Sequence, residues 1–309
     1  MTLPDIRSIL VATDLSEASD LVLTAAGALA ERAGAALHVL NAFDFQRLPY
    51  TDENIGYVSF AGRIYDTEKA LAAQLARTVP AGARVASQEV VIHSAAKAIV
   101  DRVAEIGADL VVIGPHRRRA LADPVLGSTA EYVIRSVSVP CLVVRRPLVL
   151  PLERLLAPVD LSEPARAALD VALGWAARFG AGTADVPGTD VAFLHVIPAA
   201  YTLLSPALEA EAVAPALARE VTTALERTGT AGALRVRSEV VQGEQPAEVI
   251  VRRAEAEAAD LVVLATHGYG AIRRALIGSV AAHVVRTAPC SVLLVPPALW
   301  GGGADDATR

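Results

Sequence analysis

The residues best arranged for chemistry lie toward the end of the chain: Ala265-Thr266-His267-Gly268, nine further residues, then Gly278-Ser279. An apolar run from Leu261 leads into the first group, and a stretch of helical period opens at Val280. Unpaired N–H groups at a helix start, with the helix dipole behind them, attract anions. Gly268 and Gly278 carry no Cβ to hold a phosphate off the main chain. Arg273 and Arg274 add positive charge from the intervening loop, and Asp160, ending another apolar run, can accept from a ribose hydroxyl or an amine. The set suits a nucleotide. The blander reading is that Gly278-Ser279 is a turn and helix cap and that Asp160 caps the next helix, which is compatible with ligand contact.

These residues need a scaffold, and the chain supplies it twice. Ser8 to Glu17 (SILVATDLSE) aligns with Arg154 to Glu163 (RLLAPVDLSE), and Ala108 to Gly114 aligns with Ala259 to Ala265. Leu37-His38-Val39 aligns with Leu194-His195-Val196, Gly127-Ser128 with Gly278-Ser279, and Pro140-Cys141 with Pro289-Cys290. Landmarks in the same order mark a tandem repeat, with a linker from Arg145 to Glu153 interrupted by Pro147 and Pro151. The expected domains are residues 1–147 and 152–297, followed by a disordered Gly- and Asp-rich tail, 298–309.

Within the first copy, apolar runs at Ile9 to Ala12, Ala36 to Leu40, Arg84 to Val91, Leu110 to Ile113 and Cys141 to Val144 read as strands. Segments of helical period fill the gaps at Ala18 to Ala33, Thr67 to Thr78, Ala95 to Ile106 and Thr129 to Val137. Strands apolar throughout, alternating with helices, predict an α/β fold with a parallel sheet covered on both faces. Ligands of such sheets sit at the carboxyl ends of the strands, which is where Asp14, Asp160 and the glycines fall.

On the Asp-Leu-Ser turns, the Pro-Cys steps and the spacing Ala265-x2-Gly268-x9-Gly278-Ser279, the chain resembles a tandem member of the universal stress proteins of the ATP-binding kind. The resemblance covers nearly all of both copies. It implies two Rossmann-like, adenine nucleotide alpha hydrolase-like domains, each a five-stranded parallel sheet with helices on both faces, paired through their last strands as an internal pseudo-dimer. It further implies ATP, with Mg²⁺ as its companion, a role in stress survival and homodimer formation. Carried over by position, Pro158 and Asp160 match the first-strand residues, and Val196 the residue whose main chain meets adenine. Gly268, Gly278, Ser279 and Val280 match the phosphate-binding positions; Ala265 stands where the motif has its first Gly. The loop from Gln242-Gly243 to Pro246 matches the loop after strand three.

The first copy keeps Asp14, Val39, Gly114, Gly127 and Ser128, but Arg117 replaces the second motif Gly and His93 replaces the equivalent of Gly243. A Cβ there obstructs phosphate, and Ser128-x2-Glu131 has the capping-box pattern, whose carboxylate would compete for the helix-start donors. This copy is expected to bind nucleotide poorly or not at all, with the Arg117, Arg118 and Arg119 cluster leaving room for another anion.

Other classes of chemistry are poorly supported. No Walker, nucleophile-elbow, His-Glu-x2-His or Cys-x2-Cys motif occurs. His116 and His267 flank the motifs without a placed partner, and His38 and His195 read as packed strand residues, so no catalytic or metal-binding residue is assigned. At most, slow ATP hydrolysis would fall to Asp160 or His267; the alternative without nucleotide is a stress-related interaction protein. A net charge of −6 argues against nucleic acid and anionic membranes as partners. Without a signal or a spanning run, the expectation is a soluble, cytoplasmic protein. Cys141 and Cys290 read as buried core thiols in equivalent places. Six aromatic residues between Phe43 and Tyr65 suggest a satellite core or a lid over the first crevice.

Overall fold

The computed structural model describes residues 5–43, 57–115, 126–181, 188–198, 206–268 and 277–299. The first half runs β1 (Ser8–Thr13), α1 (Glu17–Ala33), β2 (Ala36–Phe43), α2 (Tyr57–Thr78), β3 (Arg84–Ile92), α3 (Ala95–Ile106), β4 (Leu110–Ile113), α4 (Ser128–Ser136) and β5 (Cys141–Val143). The second repeats it as β6 (Arg154–Pro158), α5 (Glu163–Phe179), β7 (Asp190–Pro198), α6 (Pro206–Thr228), β8 (Arg235–Gly243), α7 (Pro246–Ala256), β9 (Leu261–Ala265), α8 (Ser279–Thr287) and β10 (Ser291–Val295).

The strand order is β3-β2-β1-β4-β5-β10-β9-β6-β7-β8. All pairs within a half are parallel, whereas β5 and β10 are antiparallel. The two expected five-stranded sheets are therefore one continuous ten-stranded sheet. Its middle strands are buried on both faces, β5 and β10 entirely, so an unpaired edge there would strand main-chain donors and acceptors away from water. The outer strands β3 and β8 are the polar, partly exposed ones.

Helices α1, α2, α5 and α6 cover one face and α3, α4, α7 and α8 the other, and each apolar layer spans both halves. Alternation along β1 shows how: Ile9 and Val11 enter the first layer, Leu10 the second. Helix α1 is set by Ser16, whose hydroxyl accepts from Ser19 N, and ends at Gly34, whose φ of 67° suits a residue without a Cβ. Its buried face includes Val22, Leu23, Ala26, Leu29 and Ala30. The four-residue strand β4 is wholly buried, each large aliphatic side chain contributing about 1.5–3 kcal/mol.

Two junctions tie the halves. At the ends of α1 and α5, Arg32 donates to Arg178 O (3.3 Å) and Gly180 O (2.7 Å), and Arg178 returns a bond to Ala33 O (2.9 Å). At the sheet centre Leu142 lies opposite Leu293, the pair that the step from Gly127 to Gly278 makes equivalent, so the pseudo-twofold axis passes between them. Just beyond, buried Arg145 donates through Nε to Ala288 O (3.0 Å) and through Nη1 to Val285 O (3.1 Å), closing the carboxyl end of α8.

The register corrects two of the alignments. Ser8 pairs with Ala36 and Arg154 with Asp190, so the residue equivalent to Val196 is Ala42, three places beyond Val39. The repeat step that makes Leu142 equivalent to Leu293 makes Cys141 equivalent to Val292 and Cys290 equivalent to Val139. The cysteines are not equivalent, although both are free and buried. Helix α2 also begins earlier than expected, at Tyr57, so much of the aromatic segment is helical; Tyr65 is 66% exposed and belongs to no satellite core. Phe45 and Tyr50 lie outside the described residues, as does the tail. Among the described residues no helix is long and apolar enough to cross a membrane.

Candidate functional site

The second crevice is built from the ends of β6, β7 and β9. Pro158 closes β6, and the chain turns through Asp160 and Leu161, which takes a left-handed φ of 62°. That turn brings Ser162 N (3.0 Å) and Ser162 Oγ to Asp160 Oδ1, while Ser162 Oγ accepts from Ala165 N to cap α5. The other carboxylate oxygen, Oδ2, lies against Gly268: a Cβ there would stand inside van der Waals distance of it. Glycine at 268 thus leaves room for the Asp160 carboxylate, which a Cβ would displace.

From Gly268 the path to α8 crosses residues 269–276, including Arg273 and Arg274, which lie outside the described residues. It re-enters at Gly278, whose N–H donates to Thr266 O (2.8 Å). Gly278 is the N-cap of α8 and provides no side-chain cap, so the N–H groups of Ser279, Val280 and the next residue have no partner within the helix. A Cβ on Gly278 would come 3.2 Å from Thr266 O. Thr266 Oγ1 and His267 Nδ1 are 2.9 Å apart and both residues are buried. Ala265, half-buried, ends β9.

Val196 reaches the site through its neighbour: His195 Nδ1 donates to Val159 O (2.7 Å), fastening the end of β7 to the Asp160 turn. Gly243 ends β8 nearby; a Cβ there would collide with Val249 and approach Val196 Cγ1 to 3.8 Å. The structure thus sets Gly268 beside Asp160 and Gly278 beside Thr266 and His267, with Val196 near Gly243.

The first half builds the same turn with different groups. Asp14 Oδ1 accepts from Ser16 N (3.1 Å), Ser16 Oγ (2.5 Å) and Ser19 Oγ (2.6 Å), and Leu15 has φ 63°. Gly114 follows β4, Gly127 N donates to Pro115 O (2.7 Å), and Gly127 caps α4. The expected capping box does not form: Gly127 is the N-cap, Ser128 is already the first helical residue, and Glu131 is exposed without bonding back. Its carboxylate does not compete for the helix-start donors. Val39 is also removed from the site, being 1% exposed within the core. His116 and Arg117 to Arg119 lie outside the described residues.

Sequence reasoning missed a buried polar cluster beneath this crevice. Thr13 Oγ1 donates to Gln74 Oε1 (2.8 Å), and Gln74 Nε2 donates to Ser16 O (3.1 Å) and Asp20 Oδ1 (2.7 Å). Asn41 Nδ2 donates to Thr13 O (2.9 Å), the bond His195 makes in the second half. The period-2 placement of Thr13 and Asn41 at strand ends was the available signal. His38, which lies in neither crevice, bonds Ser87 Oγ (2.9 Å), and its pKa is lowered by burial and then by the charge of Arg102. Among the described residues no three His, Cys, Asp or Glu are grouped to hold a metal ion.

Two doubly wound α/β units fused across their last strands, each with an Asp-Leu-Ser turn after its first strand and a Gly-Ser start to its last helix, define the class. The sequence model of the universal stress protein family matches residues 5–145 and again 151–296. A universal stress protein of Methanocaldococcus jannaschii is 30% identical over 145 residues, covering 46% of this chain and 81% of that protein. One from Thermus aquaticus is 33% identical over 120 residues, covering 39% and 87%. Among solved structures, a universal stress protein from Archaeoglobus fulgidus superposes with a TM-score of 0.67 at 18% identity, covering 94% of this chain and 97% of that one. A functionally unknown protein from Pseudomonas aeruginosa gives 0.62 at 20% identity, covering 95% and 93%. The chain belongs to the universal stress protein family, with two copies of the family domain in tandem.

Proposed function

We propose that the chain is an adenine-nucleotide-binding regulatory protein of the stress response that takes ATP chiefly in its second half. The observation carrying this is the cleft in which the Asp160 carboxylate lies against Gly268 while α8 starts at an uncapped Gly278. The carboxylate offers an acceptor for a ribose hydroxyl, and the N–H groups of Ser279 and Val280 offer donors for phosphate oxygens. By family resemblance, Val196 would meet adenine through its main chain, and Mg²⁺ would accompany the phosphates. Binding rather than turnover is the reading, because the groups described at the crevice, a carboxylate acceptor and helix-start N–H donors, are suited to holding a nucleotide. The first half, with Arg117 in place of Gly268, is read as the degenerate partner.

The test is nucleotide content and thermal shift of the full chain. One adenine nucleotide per chain is expected, and ATP at about 100 times its dissociation constant adds about 2.7 kcal/mol of stability. Gly278→Glu, which sets a carboxylate at the helix start, removes both effects; Asp160→Asn weakens binding with the fold retained. A melting temperature unmoved by millimolar ATP in the wild type overturns the reading and leaves a family member that works without nucleotide. Two nucleotides per chain would refute the degeneracy of the first half.

A further inference from the structure

A cavity of about 340 Å³ opens between the halves, away from both crevices. One wall is the amino end of the first half: Ile6 precedes β1, Asp109 precedes β4 and Pro140 precedes β5. These are the opposite ends of the strands from Asp14 and Gly114. The other wall is α5, which presents Val171, Gly174, Trp175 and Arg178 at the spacing of one helix face. Thr228 and Thr230, at the end of α6, complete it.

Its lining is mainly apolar. Trp175 is buried and steadied from behind by Phe179, with ring centroids 4.9 Å apart, while Gly174 one position earlier leaves space beside the indole. The two charged groups of the wall have their charges met within the protein, with the buried Arg178 Nε left as a donor without a partner. Arg178 holds Asp5 (2.6 Å) and Ala33 O (2.9 Å), and Asp109 Oδ2 accepts from Arg7 N (2.8 Å) and Ser8 N (3.0 Å). The hydroxyls of Thr228 and Thr230, 2.8 Å apart, are uncharged polar groups at the margin; Thr228 Oγ1 donates to Ala224 O (2.7 Å), so the pair has acceptor capacity left over. A concave, mostly apolar space with a few polar groups at one side has the make-up of a small-molecule site.

We propose that this cavity is a second ligand site, taking a neutral, ring-bearing small molecule that packs against Trp175 and donates a hydrogen bond to the threonine hydroxyl oxygens. The size follows from volume: a dry cavity of about 150 Å³ accepts benzene, so this one takes two or three fused rings. Neutrality follows because Arg178 is ion-paired to Asp5 and Asp109 is held by two main-chain N–H groups, while Arg178 Nε is left to donate to an acceptor on the occupant. Because its walls come from both halves, an occupant bridges them and reports at the junction independently of the crevices.

The experiment uses the full-length chain carrying Trp300→Phe, which leaves Trp175 as the one tryptophan, titrated with the neutral fluorophore N-phenyl-1-naphthylamine. The expected result is saturable quenching of Trp175 with energy transfer to one probe per chain, unaffected by millimolar ATP. Ala177→Phe at the exposed lip and Gly174→Leu inside should each weaken binding by about tenfold or more. If Gly174→Leu does not fold, the exposed Ala177 position decides alone. Absence of saturable quenching up to about 100 µM probe overturns the proposal, as does unchanged affinity in Ala177→Phe or displacement of the probe by ATP.

Discussion

Replacing Arg145 by Met tests how the halves are coupled. Arg145 is 8% exposed, and its guanidinium closes α8 through Ala288 O and Val285 O at 3.0 and 3.1 Å. Hydrogen bonds to a charged group are worth about 1.5–3 kcal/mol each. Burial works against the charge and lowers the Arg145 pKa, with the neighbouring Arg146 charge acting in the same direction, so part of that gain is lost to desolvation. Met fills the stem's volume but leaves two helix-end carbonyls without donors, and removes a cation from the negative end of the helix dipole. The net loss expected is about 2–4 kcal/mol, lowering Tm by about 4–10 °C in a chain of this size. Denaturant unfolding measures the first and calorimetry the second, while hydrogen exchange across Ser279–Thr287 should rise selectively. Arg146→Met, at an exposed neighbouring position, is the control and should change nothing measurable. An Arg145→Met protein within about 0.5 kcal/mol of the wild type would refute the coupling, showing that desolvation cancels the bonds.

Three further outcomes follow from described geometry. Gly180→Ala drives a Cβ into Ala176 O and Thr189 Oγ1, and should cost about 1–3 kcal/mol in denaturant unfolding. Cys290, its thiol pushed up to about 12 chiefly by burial, and Cys141, raised further by burial alone, should resist iodoacetamide in the native chain at about pH 8 and react once unfolded. His38 has a folded pKa below its unfolded one, so the unfolded state takes the proton first. Its effect is absent above the unfolded pKa and becomes destabilising as pH falls through about 6.5 toward the folded value; His38→Gln should flatten that part of the stability profile.

The scaffold was largely legible because its signals are local and strong. Leu110 to Ile113 is apolar at every position and could be buried only as a central strand, and Gly34 marks the end of α1 by its left-handed conformation. Register was less legible. Leu-His-Val recurs in both copies, yet the structure pairs Asn41 with the role of His195, because what is repeated is a donor to the carbonyl at the end of the first strand. Two residue types perform one task, and identity matching slid to the wrong place. The capping box failed for a related reason: Gly127 is held by Pro115 O and takes the cap itself. Of the crevice, Asp160 and the glycines could be read from spacing; the contact of Asp160 with Gly268 could not, because it joins segments more than a hundred residues apart.

The antiparallel pair at the centre of the sheet has a consequence for how such a chain can change over generations. In a symmetric homodimer every substitution at the twofold contact is made on both sides at once, and must be tolerated in both. Here the two sides are encoded separately. Arg145 stands on one side of the axis, while the same repeat step reaches Pro296 on the other, a residue that has no side-chain donor with which to close α4. A single codon change at this junction alters one half and spares its counterpart, so the two clefts are free to drift toward unlike tasks while sharing a single sheet.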